Sequence, residues 1–262
     1  MKIRVLGCHG SDQLVARGSG LSQCGTCGFL INGTALVDAG TIGSKLQLSE
    51  QKQIRHVFLS HLHFDHIKEL PTLADNLVGE TTEPIVIAGT PDVLKGLEAH
   101  IFNGDVYPDF FTIPNPKEPV FRSAALTIGR ASSMSGLDVT PIAVNHVVPT
   151  VGFIIGDGRS SLLYSGDTYQ TDEIWQVASR IPTLKAAFIE TSFPNELADL
   201  AKLSKHLTPA LLAEEVHKLG RPDVAVYVYH MKPRFRERII QEIAALTLPQ
   251  IKVLEEGQEL LI

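Results

Sequence analysis

Ser60-His61-Leu62-His63-Phe64-Asp65-His66 follows directly on the apolar run Val57-Phe58-Leu59. Three histidines and one carboxylate therefore fall within six residues. Imidazole nitrogen and carboxylate oxygen are the donors that zinc, iron or manganese accept. Alternate side chains of a strand point to opposite faces, so this cluster cannot face one way inside a regular strand. It belongs on a loop at the end of a strand, running into a helix expected over 67–77. In that setting His61 and His63 serve one ion, while Asp65 and His66 turn towards a second.

The remaining donors lie downstream, each just past an apolar run. Val139 to Val144 leads to His146, and Ser161 to Tyr164 leads to Asp167. Ala186 to Ile189 leads to Glu190, and Val224 to Tyr229 leads to His230. Any one of these is ordinary for a polar residue leaving a sheet. Together they place the chemistry along one sheet edge, where α/β proteins carry their sites. Grouped as His61, His63 and His146 for one ion and Asp65, His66 and His230 for another, with Asp167 bridging, they give each ion four ligands. A donor set of N and O without thiolate points to two divalent ions, zinc first, with manganese or iron as alternatives. Two such ions about 3.5–4 Å apart activate a shared water and clamp a phosphoryl group. His206, just before the helix expected over 208–219, is the candidate general acid, oriented by Glu190. His9, His56, His100 and His217 lack such a context and read as surface or packing residues.

Between these points the chain alternates strands and helices. Asn32-Gly33 between Phe29-Leu30-Ile31 and Ala35-Leu36-Val37 marks a hairpin. Asp38, at the end of its second arm, either steadies the metal loop or closes an Asx turn. The Gly- and Ser-rich stretch 7–22 reads as a turn. The aromatic-rich stretch 100–111 reads as irregular, either walling a pocket or packing down.

The chain has 262 residues, of which 44% are hydrophobic and 20% charged, enough for one sizeable core. No repeat, linker or low-complexity tract divides it, so a single domain over 1–262 is expected. No apolar run approaches the roughly 20 residues of a membrane helix, and the N-terminus lacks a signal-peptide pattern. A cytoplasmic protein is the expectation. The net charge of −6 disfavours a polyanion as partner. Three cysteines do not build a disulfide framework, and without a second C-x-x-C, Cys24 and Cys27 read as small buried thiols.

The motif His61-Leu62-His63-Phe64-Asp65-His66, with His146, Asp167 and His230 in that order, resembles the metallo-β-lactamase superfamily. That resemblance implies an αββα sandwich, two mixed β-sheets face to face with helices outside, and the same ligand grouping. Glu190-Thr191-Ser192-Phe193, Lys205-His206-Leu207-Thr208 and His230-Met231-Lys232-Pro233 resemble late motifs of its phosphodiesterase branch, which includes the tRNA 3′-processing endonucleases. There the Glu and His act at the leaving group, which implies that role for Glu190 and His206, with Asp65 beside them in the catalytic centre. The stretch 100–110, and 189–195 running on to His206-Leu207-Thr208-Pro209, are similar to class II 3′,5′-cyclic nucleotide phosphodiesterases. That class implies hydrolysis of cAMP or cGMP to the 5′-nucleotide, a small phosphodiester as partner, and no membrane. A homodimer is compatible with it. Tyr107, where that class has tryptophan, and the cysteines of the glycine-rich start depart from the pattern. The competing readings are a tRNA-processing type nuclease, which needs a basic arm, or a phosphodiesterase for another cyclic (di)nucleotide. A non-catalytic metal-binding sensor is the reading outside enzymology.

Overall fold

The strand feeding the histidine motif, His56–Phe58, lies between two parallel neighbours, Ala35–Val37 and Ile85–Gly89. Its side chains alternate in what they bury. Phe58 faces a second sheet, whereas Val57 and Leu59 pack against helices on the other side. The same alternation recurs opposite: Phe153, Ile155, Tyr227 and Tyr229 point inward, and Ile154, Val226 and Val228 outward. Sheets buried on both faces need strands apolar on both faces, which is why these runs read as nearly continuous hydrophobic stretches.

The computed structural model describes residues 1–17, 20–81 and 83–262. Among these, two seven-stranded mixed sheets stack face to face. The first covers the N-terminal half and is closed at one edge by Glu259–Leu261, paired antiparallel with Lys2–Gly7. The second runs from Ser132–Met134 to Ile251–Val253, with Ser161–Tyr164, Leu184–Glu190 and Ala225–Tyr229 parallel in its centre. Helices Leu70–Leu77 and Pro91–His100 cover the first sheet; Glu173–Ala178, Pro209–Leu219 and Arg236–Ala244 cover the second. This is the αββα sandwich that the sequence implies. None of its helices is long and apolar enough to cross a membrane among the described residues.

Between the sheets, Phe29 meets Tyr164, Phe188 and Tyr229 at ring-centroid distances of 5.6, 5.4 and 5.6 Å. Each such side chain contributes roughly 1.5–3 kcal/mol through burial. The two tyrosines also carry hydroxyls, and these reach the rim where the parallel strands end. Tyr164 donates to Asp38 (2.6 Å) and Tyr229 to the Gly166 carbonyl (2.8 Å). The inter-sheet core thus holds the loops that bear the polar cluster.

Local differences from the sequence reading have plain causes. The helix expected over 67–77 is two pieces, Phe64–Ile67 and Leu70–Leu77, because Pro71 opens a new first turn. The stretch 7–22 is more than a turn: Gln13–Arg17 and Gly20–Cys24 form a separate antiparallel hairpin. Asn32 and Gly33 both take positive φ (50° and 75°), as the hairpin reading requires. In the aromatic stretch Phe102 and Phe110 are buried against the first sheet, and Phe102 with Phe111 also walls a surface pocket, so both readings apply.

Candidate metal centre

The donors named from the sequence sit at or past the C-terminal ends of strands, and the two sheets bring these ends to one rim. His61 follows His56–Phe58, His146 follows Leu137–Ala143, and Asp167 follows Ser161–Tyr164. Glu190 ends its strand and His230 follows Ala225–Tyr229. His230 takes φ +66°, a turn at the strand end that aims its ring into the rim.

The rings are held in a common way. His61 Nδ1 meets Ser60 Oγ (2.9 Å), and His66 Nδ1 meets Asp38 Oδ2 (2.7 Å). His146 Nδ1 meets the Lys205 carbonyl (3.0 Å), and His230 Nδ1 meets Ser192 Oγ (2.8 Å). With Nδ1 fixed outside, Nε2 points inward, the arrangement in which a second layer of hydrogen bonds orients metal-binding imidazoles. His63 is turned the other way, its Nδ1 facing His146 Nε2 at 3.2 Å.

Two sets of donor atoms converge. His61, His63, His146 and Asp167 each offer an atom, all within 4.8 Å of one another. On the other side His66 Nε2 lies 3.2 Å from His230 Nε2, and both lie 3.3 Å from Asp167 Oδ2. Asp65 Oδ2 completes this side at 3.4 Å from His230 Nε2. Asp167 Oδ2 is also 3.7 Å from His61 Nε2, so one carboxylate reaches both sets. Two nitrogens about 2.1 Å from a tetrahedral ion stand about 3.4 Å apart, which these spacings match.

The residues fit divalent ions on a further observation. His61 Nε2 and Asp167 Oδ1 are buried without a hydrogen-bond partner among the described residues. Such orphaned atoms are costly unless something occupies the space they face. Burial, and then the neighbouring rings, hold His61 well below the ordinary histidine pKa; burial takes His146 down to about 4. Neutral imidazole is the form that binds metal. Asp167 is buried, which alone would raise its pKa, but His230 and His66 outweigh that and hold it ionised.

Beside this centre stands the pair His206 and Glu190. Glu190 Oε1 accepts from His206 Nδ1 at 2.7 Å, and Ser192 Oγ donates to Glu190 Oε2 at 3.1 Å. Burial disfavours the imidazolium of His206, but the Glu190 charge and hydrogen bond prevail and raise its pKa. Its ring is 5.0 Å from that of His146 and 5.3 Å from that of His230.

Residues 35–231 match the family described as the beta-lactamase superfamily domain. The chain belongs to the metallo-β-lactamase superfamily. Its fold implies divalent-metal binding, and the histidine–aspartate rim is where this metallo-β-lactamase chain gathers suitable donors. Over 229 residues it is 27% identical to the probable 3′,5′-cyclic-nucleotide phosphodiesterase of Yersinia pestis, covering 77% of this chain and 63% of that relative. It thus spans less than two thirds of that protein's length. It is 30% identical over 137 residues to the ribonuclease Z of Mycobacterium bovis, 47% of each chain. Among solved structures, unliganded yeast PDE1 superimposes with a TM-score of 0.82 at 19% identity, over 100% of this chain and 99% of that one. At that identity the likeness is one of fold.

Two residues at the rim carry more than the sequence showed. Asp38 is at the centre of a network rather than in an Asx turn. Its carboxylate accepts from Ser60 N and Ser60 Oγ (both 2.8 Å) and from Tyr164, besides holding His66. Glycine at position 40 lets this segment pass under the motif, since a Cβ there would meet the Asp65 carbonyl and Thr26 Oγ1. Asp38→Asn keeps the size but weakens the hold on the His66 ring. Metal affinity measured by chelator competition is expected to fall about 10–100-fold, with the secondary structure unchanged by circular dichroism. Unchanged affinity would return Asp38 to a purely structural part. The other residue is Cys27, whose Sγ lies within 4.8 Å of ligand atoms of His66 and His230. The odd cysteine count gave no sign of that placement.

Proposed function

We propose that the protein is a metal-dependent phosphodiesterase, one domain over 1–262, that hydrolyses 3′,5′-cyclic nucleotides such as cAMP or cGMP to 5′-nucleotides. His61, His63, His146 and Asp167 hold one ion; Asp65, His66, His230 and Asp167 hold the other. Zinc fits this N/O donor set best, with manganese or iron next. The observation that carries the reading is the buried His206–Glu190 pair poised against both donor sets. A binding or sensor domain has no use for a proton donor so placed.

Bound divalent ions supply Lewis-acid activation of water and neutralise charge on the phosphoryl oxygens. The chain's own residues do the rest. Glu190 keeps the proton on His206 Nδ1 and sets the ring so that Nε2 faces the substrate. As the P–O3′ bond breaks, Nε2 gives its proton to the departing ribose oxygen. Glu190 is itself fixed by Thr168 N (3.1 Å) and Ser192 Oγ, so the ring loses little entropy in reaching its working position. Substrate enters beside the His146 loop, where a cleft of about 410 Å³ is lined by Thr90, Ile128, Asn145, His146, Val148 and Lys205.

The match to a ribonuclease Z supports a second reading, a tRNA-processing nuclease. Phosphate contacts dominate such binding. The segment 80–118 carries seven carboxylates against two lysines, and the net charge is −6. The first reading is therefore preferred. The deciding experiment is turnover by the metal-loaded protein on cAMP, cGMP, a cyclic dinucleotide, an aryl phosphodiester and a pre-tRNA. The cyclic mononucleotides are expected to give the highest kcat/KM. Faster cleavage of pre-tRNA or a cyclic dinucleotide would replace the assigned substrate, and no hydrolysis of any would remove the enzymatic reading.

A further inference from the structure

Cys27 lies immediately before the strand Gly28–Ile31, fully buried in the inter-sheet core. Its backbone and that of Cys8 are both pinned to the rim. The Cys27 carbonyl accepts from Gly40 N at 2.8 Å, and the adjoining Ala39 N donates to the His66 carbonyl at 2.7 Å. The Cys8 carbonyl accepts from His230 N at 2.7 Å. These bonds bring a thiol up beneath the pair His66 and His230. Cys27 Sγ and a ring nitrogen from each histidine all lie within 4.8 Å of one another. The hydrogen bond described for that thiol is a weak one, to the His9 carbonyl at 3.8 Å. At the same rim, Asp167 Oδ1 is buried and unpartnered among the described residues. The thiol thus stands within reach of ring nitrogens of both histidines that the rim gathers around Asp167.

We propose that Cys27 supplies a thiolate to the ion held by His66 and His230, so that the two metal positions differ in kind. The inference rests on the metal-centre reading above and goes beyond it, because that donor set contains only N and O. The first position then has three neutral imidazoles and a shared carboxylate. The second has two imidazoles, carboxylate oxygens and a soft sulfur. Binding replaces the thiol proton by the ion, and the proton leaves to solvent. Zinc accommodates a fifth donor. Sulfur favours thiophilic divalent ions such as Zn²⁺, Cd²⁺ or Co²⁺ at this position over Mn²⁺, which prefers oxygen.

The test is spectroscopic and does not depend on turnover. X-ray absorption at the zinc edge of the full-length, zinc-loaded protein is expected to need a sulfur scatterer at about 2.3 Å in addition to N/O at about 2.0–2.1 Å, at one sulfur per two ions. Cobalt loading should add a near-ultraviolet thiolate-to-metal charge-transfer band. Cys27→Ser should lose both signatures, while Cys24→Ser and Cys8→Ser keep them. The wild-type absorption measurement decides the matter even if Cys27→Ser fails to fold. An N/O-only shell with two zinc ions bound would overturn the thiolate and leave the metal centre standing. Persistence of the band in Cys27→Ser would overturn it too. Failure to retain any zinc would overturn both.

Discussion

Asp167→Ala is expected to empty the centre. Elemental analysis should show about two ions per wild-type chain and well under one in the variant, and hydrolysis of cAMP should fall by at least about 10³-fold. The reason is the position of one oxygen. Asp167 Oδ2 lies 3.3 Å from His66 Nε2, 3.3 Å from His230 Nε2 and 3.7 Å from His61 Nε2, so both donor sets share it. Asp65 is the other carboxylate at hand, and its side chain is 27% exposed. Without Asp167 the first set has only neutral imidazoles, and a divalent ion has no buried counter-charge. Lewis-acid stabilisation by the ions is worth several kcal/mol, and each 1.4 kcal/mol is tenfold in rate. His61→Ala removes a donor from one set only, so it is expected to lose one ion and keep the other. An Asp167→Ala protein that retained both ions, or lost a single one as His61→Ala does, would end the bridging role.

Most of the residues gathered at this rim were legible in the sequence because that information is local. Each donor follows an apolar run, and a parallel strand delivers whatever follows it to the same edge. The hairpin at Asn32-Gly33 and the helix over 208–219 were legible for the same reason: a turn dipeptide and the helical spacing of Leu211, Leu212, Val216 and Leu219 are both local marks. What was not legible depends on contacts between distant segments. Cys27 reaches His66 and His230 only through backbone bonds to Gly40 and its neighbours, and no spacing in the chain encodes them. For Asp38 the sequence left two readings open, steadying the metal loop or closing an Asx turn, and its bonds to Ser60, His66 and Tyr164 favour the first. The hairpin of Gln13–Arg17 and Gly20–Cys24 has its apolar side chains Leu14 and Leu21 exposed by 65% and 75%. Without a core-facing stripe, strand periodicity gives no signal there. The aromatic stretch 100–111 had two readings because aromatic content marks burial of either kind. The first sheet buries Phe102 and Phe110, and Phe102 and Phe111 also wall a pocket, so both kinds of burial occur there.

His206→Ala separates proton donation from metal holding. His206 is tied through Nδ1 to Glu190 and lies beside both donor sets, while the proposed ligands are His61, His63, His146, Asp65, His66, Asp167 and His230. The variant is therefore expected to keep both ions and nearly the wild-type KM for cAMP. Its kcat should fall by roughly 10²–10⁴, the usual contribution of a positioned acid. The size of the loss should follow the leaving group. A ribose 3′ oxygen is strongly basic and departs poorly without a proton, whereas nitrophenolate is stable as the anion. With an aryl phosphodiester the same variant is expected to lose no more than about tenfold, because that reaction never needed the acid. Glu190→Gln should follow the same pattern with a smaller loss, since the amide can still accept from His206 Nδ1 but no longer offers a charge. A metal defect in His206→Ala would make it a ligand, in keeping with its nearness to Asp167 and His230. Equal losses on the two substrates, with both ions retained, would make it a binding residue. Only a loss confined to the poor leaving group, at full metal content, assigns the proton to His206.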